Sequence, residues 1–163
     1  MTQASPTPTA QGYTVPSVTQ FGVFLENKVG KLLDLVELFD RAEGCDICAF
    51  SVQEASDHAV VRIITNNAAG AKALLREEGL PFSMLDVMIV ELIGGHTLSS
   101  LCLNLLGAEL SIRFAYPVML RPNGTPTVAI SVDDLVLGGQ ILRRKGFQLL
   151  GECDLPHKGD SCH

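Results

Sequence analysis

Between Val18 and Glu26 polar and apolar positions alternate, placing Thr19, Phe21, Val23 and Leu25 on one face at a period of two, as in a half-buried strand. Asn27-Lys28-Val29-Gly30 breaks that alternation, and Leu32, Leu33, Leu35, Val36, Phe39 and Ala42 then recur at helical spacing until Gly44. A second strand is expected to begin over Ile47 to Ser51, Ser56-Asp57 supplies turn chemistry, and Ala59 to Ile64 continues as a third strand in a hairpin. Asn66-Asn67 offers a cap for a helix from Ala68 to Glu78 that Gly79 closes, and a short strand over Phe82 to Leu85 completes a βαββαβ unit.

The pattern returns. At an offset of 65, Gly95 falls on Gly30, Leu98 on Leu33, Leu101 on Val36 and Ile112 on Ile47. After two extra residues near Pro122-Asn123-Gly124 the offset becomes 67, so that Val128 falls on Val61, Ile130 on Ile63, Leu142 on Leu75, Arg143 on Arg76 and Gly146 on Gly79. The second unit reads as a strand over Val87 to Leu92, a helix over Thr97 to Glu109, a hairpin over Ser111 to Asp133, a helix over Asp134 to Lys145 and a strand over Phe147 to Leu150. The expected division is a mobile tail over 1–17, repeats at 18–86 and 87–150, and a flexible C-terminal tail over 151–163. Each repeat is too small to be comfortably stable alone, so the two are expected to dock, either by pairing sheet edges or by stacking open sheet faces, with a seam suited to a ligand.

Composition narrows the function. With 163 residues, 47% of them hydrophobic, the chain can bury one ordinary core or two small ones, and a net charge of −6 with scattered Lys and Arg disfavours nucleic acid. No apolar run approaches the roughly 18–20 residues that cross a bilayer, and the first residues lack a signal peptide's features, so a cytoplasmic protein with reduced thiols is expected.

Phe24-Leu25-Glu26-Asn27-Lys28-Val29-Gly30-Lys31-Leu32, with Cys45-Asp46-Ile47 opening the next strand, resembles the first strand, loop and helix of an ACT domain. Ser56-Asp57-His58-Ala59-Val60-Val61-Arg62 and Ile141-Leu142-Arg143-Arg144-Lys145-Gly146 are similar to segments of stand-alone tandem ACT proteins, and the order of elements is that of the domain from Val18 to Leu150. The resemblance implies an α+β fold of two βαββαβ ferredoxin-like units, with antiparallel sheets and helices on one face. It also implies a non-catalytic regulatory protein that binds an amino acid at the loop between first strand and first helix. Mapped by motif, the ligand residues are Asn27, Lys28, Val29, Gly30 and Asp46, with Gly94, Gly95 and His96 in the second loop. Backbone amides at a helix N-terminus favour a carboxylate, Gly30 allows close approach, and Asp46 is suited to an ammonium. The second loop reads Glu91-Leu92-Ile93-Gly94-Gly95-His96, with Leu92 in place of Asn27 and Ser111 in place of Asp46, so its polar handles are fewer. Action through self-association or a partner enzyme is expected; the alternative is a regulatory subunit of an amino-acid biosynthetic enzyme such as acetolactate synthase.

Other chemistry is thin. Cys45-Asp46-Ile47-Cys48 is formally a C-x-x-C, but its cysteines are expected to pack rather than react. Cys153, His157, Cys162 and His163 match no closed zinc spacing, His58 belongs to a turn, and Ser99 and Ser100 have no relay partner. No cofactor, metal or catalytic residue is expected.

Overall fold

The computed structural model describes residues 15–157. The elements are β1 (Val18–Glu26), α1 (Lys31–Arg41), β2 (Ile47–Ala55), β3 (His58–Thr65), α2 (Ala68–Glu77), β4 (Phe82–Glu91), α3 (Leu98–Gly107), β5 (Ile112–Pro117), β6 (Thr127–Val132), α4 (Leu135–Arg144) and β7 (Gln148–Leu150), followed by a 3-10 turn over Glu152–Asp154. Both units keep the order expected from the repeat. The two short strands expected over Phe82–Leu85 and Val87–Leu92 are one: β4 runs unbroken through Asp86, across the expected boundary at 86/87.

That single strand joins the units. Its first half pairs with β1 from Phe82 opposite Val23 to Val87 opposite Val18, so that unit 1 has the order β2-β3-β1-β4. Its second half lies between β6 and β7, giving unit 2 the order β7-β4-β6-β5. All pairings are antiparallel. The repeat is visible down to an irregularity: β2 slips register between Ile47 and Ala49, and β5 slips at the matching residues, Ile112 and Phe114. Within the helices the match drifts by one residue, since Leu101 and Leu105 are the buried positions of α3 where Leu35 and Phe39 are those of α1.

Alternation of side chains across each strand divides the core in three. Phe21, Val23, Val61 and Ile63 face α1 and α2, meeting Leu35, Phe39, Ala71 and Leu75. Met88, Val90, Val128 and Ile130 face α3 and α4, meeting Leu101, Leu105 and Leu142. The residues between them point the other way, and Val18, Cys48, Ala49 and Ile64 of unit 1 meet Val87, Ile89, Tyr116, Val118 and Ala129 of unit 2 in a third cluster. The units therefore dock in both ways at once: they share a strand, and their helix-free faces close on each other near it. Gln20 and Tyr116 hydrogen-bond across this seam, the Arg62 guanidinium lies 4.4 Å from the Phe114 ring centre, and the Met119 and Leu120 amides both donate to the Cys48 carbonyl.

The described ends of the chain are built into the molecule. Val15 packs on α4 at Gly139, where a Cβ would collide with it. Residues 151–157, expected to be a loose tail, fold back onto unit 1. Leu155 is buried in the seam, Glu152 Oε1 accepts from the Ala68 amide at the start of α2, and the Pro156 carbonyl accepts from the Asn66 side-chain amide. A buried leucine and hydrogen bonds from two residues of unit 1 fasten a short segment that no apolar periodicity announces. Residues 1–14 of the expected N-terminal tail, together with Cys162 and His163, lie outside the described residues.

Candidate functional site

Among the described residues three of the four α-helices begin on a side-chain cap: Asn67 accepts from the Gly70 amide, Thr97 exchanges bonds with Ser100, and Asp134 accepts from the Leu137 amide. Helix α1 begins on Gly30, at φ 88°, with no side-chain cap. The Lys31 amide donates to the Lys28 carbonyl at 3.3 Å, and no capping side chain serves this turn as Asn67, Thr97 and Asp134 serve theirs. The loop is held from behind, since the Asn27 amide donates to the Asp57 carbonyl and the Asn27 side chain donates to the Ser56 carbonyl and to Glu54 Oε1. Val29 is fully exposed, and nothing lies within 4 Å of where a Gly30 Cβ would stand.

Beside this helix start lies a cleft of about 670 Å³, within the range of small-molecule sites. Its walls come from the end of β1, the β2–β3 hairpin and the loop before β4, with Phe24, Val60, Leu80 and Pro81 as apolar surface. Glu26, Lys31 and His58 bring both signs of charge to it. Lys28 Nζ lies 2.7 Å from Glu26 Oε2, and that hydrogen bond, with the attraction between the charges, holds the Glu26 carboxyl below its ordinary pKa and the Lys28 ammonium above its own. The composition is that of a site for a small molecule with an apolar body and charged ends.

Asp46 is elsewhere. It precedes β2 and exchanges two hydrogen bonds with the buried Asn66, whose Oδ1 accepts from the Asp46 amide while its Nδ2 donates to Asp46 Oδ2. His157 Nδ1 lies 3.9 Å from Asp46 Oδ2. Asn27 bonds at Asp57 and Asp46 at Asn66, so the eight residues of β3, about 26 Å, separate them. Expecting Asp46 and the Asn27–Gly30 loop to grip the two ends of one amino acid therefore fails within this chain. Helix α1 carries the chain back along the sheet before β2 starts, and Asp46 serves instead to anchor the C-terminal segment.

The second loop, at the far end of β4, also differs from expectation. Gly94 and Gly95 have φ of 63° and 88° and are exposed, but the His96 ring stacks on Phe147 with centroids 3.8 Å apart, and its amide bonds to the Ile93 carbonyl. His96 is thus a packing residue at the foot of α3. Ser111, at the position matching Asp46, is exposed, and its amide donates to Asp133.

Phe24, Glu26 and Lys31 lie in the segment that resembles the family but are not among its mapped ligand residues, since near the end of β1 and at the start of α1 they look like ordinary surface positions. Also not among them is Glu91, 2% exposed, whose Oε2 accepts from Asn123 Nδ2 and Thr125 Oγ1, each at 2.8 Å. Cys45 and Cys48 are buried and unbonded to each other, and burial raises both thiol pKa values, that of Cys48 to about 12. Among the described residues no three His, Cys, Asp or Glu side chains converge to hold a metal, and no helix is long and apolar enough to cross a membrane.

A family model described as an ACT domain pair matches residues 16–134. Among solved structures, protein BT0572 from Bacteroides thetaiotaomicron superposes with a TM-score of 0.74 at 22% identity, over 86% of this chain and 96% of that one, a likeness of fold. A candidate glycine cleavage system transcriptional repressor and a protein from Galdieria sulphuraria each align over 82% of this chain and 95% of theirs at 11% identity, with TM-scores of 0.36 and 0.35, too low to bear on the arrangement of the units. No curated protein matches the chain.

Proposed function

The chain belongs to the ACT domain pair family, whose members are small-molecule-binding regulatory proteins, and on that premise we propose that it senses a free α-amino acid in the cleft beside α1. The observation that carries this reading is the one α-helix start among the described residues that has no side-chain cap, opening beside a cleft that holds both charge signs. The ligand carboxylate takes the first-turn amides of α1 and the Lys31 ammonium, which a helix N-terminus favours. The ligand ammonium faces Glu26, and its side chain lies on Phe24, Val60 and Leu80. Asn27 and Lys28 hold the loop in shape, Val29 is at the rim, and Gly30 supplies the positive φ that lets the backbone come close.

A bound ligand acts through a second copy or a partner enzyme. Leu103, Leu106 and Val136 are each more than half exposed on the outer side of α3 and α4, which favours association there. Free thiols at Cys45, Cys48, Cys102 and Cys153 suit a cytoplasmic location. A thermal-shift screen of the free amino acids tests the reading: ligand at about 100 times its dissociation constant adds roughly 2.7 kcal/mol to stability. One or two amino acids are expected to raise the Tm, and flat curves for all of them at millimolar concentration contradict the proposal.

A further inference from the structure

We propose that unit 2 carries a second ligand site of different chemistry, an open cleft of about 440 Å³ between the start of α3 and the β5–β6 hairpin, and that it takes an apolar monocarboxylate rather than a zwitterion. Its volume lies within the range of small-molecule sites, whereas the cleft at the seam beside Asp46, at about 250 Å³, falls below it. Leu92, Leu98, Pro117, Val118, Pro126 and Val128 form apolar walls, and among the described residues Arg121 is the one charged side chain that lines it.

The rim is fixed before any ligand arrives. Arg121 Nη1 donates to the Thr125 carbonyl at 3.3 Å, which uses one of five guanidinium N–H donors and leaves a planar fork of the kind that grips carboxylates. The hairpin loop that carries Arg121 is fastened to β4 through Asn123 and Thr125, which both donate to the buried Glu91 carboxylate, and through the Leu92 amide, which donates to the Pro126 carbonyl. Binding then costs little ordering of the loop. Glu91 is held behind that loop and does not line the cleft, so a ligand ammonium would be desolvated there without an anion. The two clefts thus divide ligand chemistry: both charge signs beside α1, a single cation beside α3.

Calorimetric titration with 4-methylpentanoate, leucine and 3-methylbutylamine, which share one branched skeleton, tests this, with amide shifts locating each ligand. The carboxylate is expected to move the resonances of Leu92 and Val128, with leucine and the amine at least about tenfold weaker at those residues. Arg121→Gln is expected to weaken the carboxylate about tenfold or more, and Arg121→Lys less, since a point charge replaces a fork. Leu98→Gln, on an exposed wall, serves as a second variant and also weakens it. No shifts at Leu92 and Val128 up to about 10 mM, leucine binding there as well as the carboxylate, or indifference to Arg121→Gln overturns the proposal. Ligands that move only the amides of Glu26 and Lys31 report the other cleft, so the two readings fail separately.

Discussion

The Tyr116 hydroxyl donates a 2.6 Å hydrogen bond to Gln20 Oε1, and the two residues, both buried, belong to different units. Both sit among the apolar residues where the two sheet faces meet, so the bond fixes how the faces register. Tyr116→Phe strands the Gln20 carbonyl in the seam and is expected to cost about 1–3 kcal/mol. Adding Gln20→Leu removes the stranded group and is expected to restore part of that loss. Urea denaturation of the three variants measures both effects, and a neutral Tyr116→Phe contradicts the role given to this bond.

Alkaline titration of stability follows from the same burial. Desolvation raises the Tyr116 hydroxyl above its ordinary pKa and the Cys48 thiol to about 12. Both groups are neutral in the folded protein while the unfolded chain ionises first, so their stability contribution is full below the ordinary values. It declines as pH rises from about 9 toward 12, by up to about 1.4 kcal/mol per pH unit for each group. Denaturation curves across that interval are expected to show the decline, with a shallower slope for Cys48→Ala.

The C-terminal segment is a strap from unit 2 to unit 1. Leu155→Ala is expected to cost about 2–4 kcal/mol, as for other buried leucines, and removal of residues 151–163 at least as much, because the contacts of Glu152 and Pro156 go with it. A truncated protein with the stability of the full chain contradicts the strap.

Much of the fold is legible in the sequence because the repeat is local: turn glycines, apolar periods and helix stops sit at fixed offsets, and even the strand irregularities at Ile47 and Ile112 recur. The joint is not legible. Asp86 looks like a break between two short strands, yet it lies exposed within a strand whose neighbours change from one unit to the other. Gln20 and Tyr116 meet across 96 positions with no periodic signal. For the site, the Asn27–Gly30 loop announces itself by ending one pattern and starting another. Asp46 joins that loop through the motif resemblance and its fitness for an ammonium, and neither shows that helix α1, of 11 residues and about 16 Å, takes the chain to the opposite end of the sheet.

The most direct test of the central claim is calorimetric titration of Lys31→Met and Asp46→Ala with the amino acid that gives the largest thermal shift. Lys31→Met removes a cation from the cleft and is expected to weaken binding roughly ten- to hundredfold, the scale of a charge-assisted hydrogen bond. Asp46→Ala, at the other end of β3, is expected to lower stability through the loss of Asn66's partner while leaving affinity within about twofold. Loss of binding in Asp46→Ala with undiminished affinity in Lys31→Met would place the ligand away from this cleft and contradict the account.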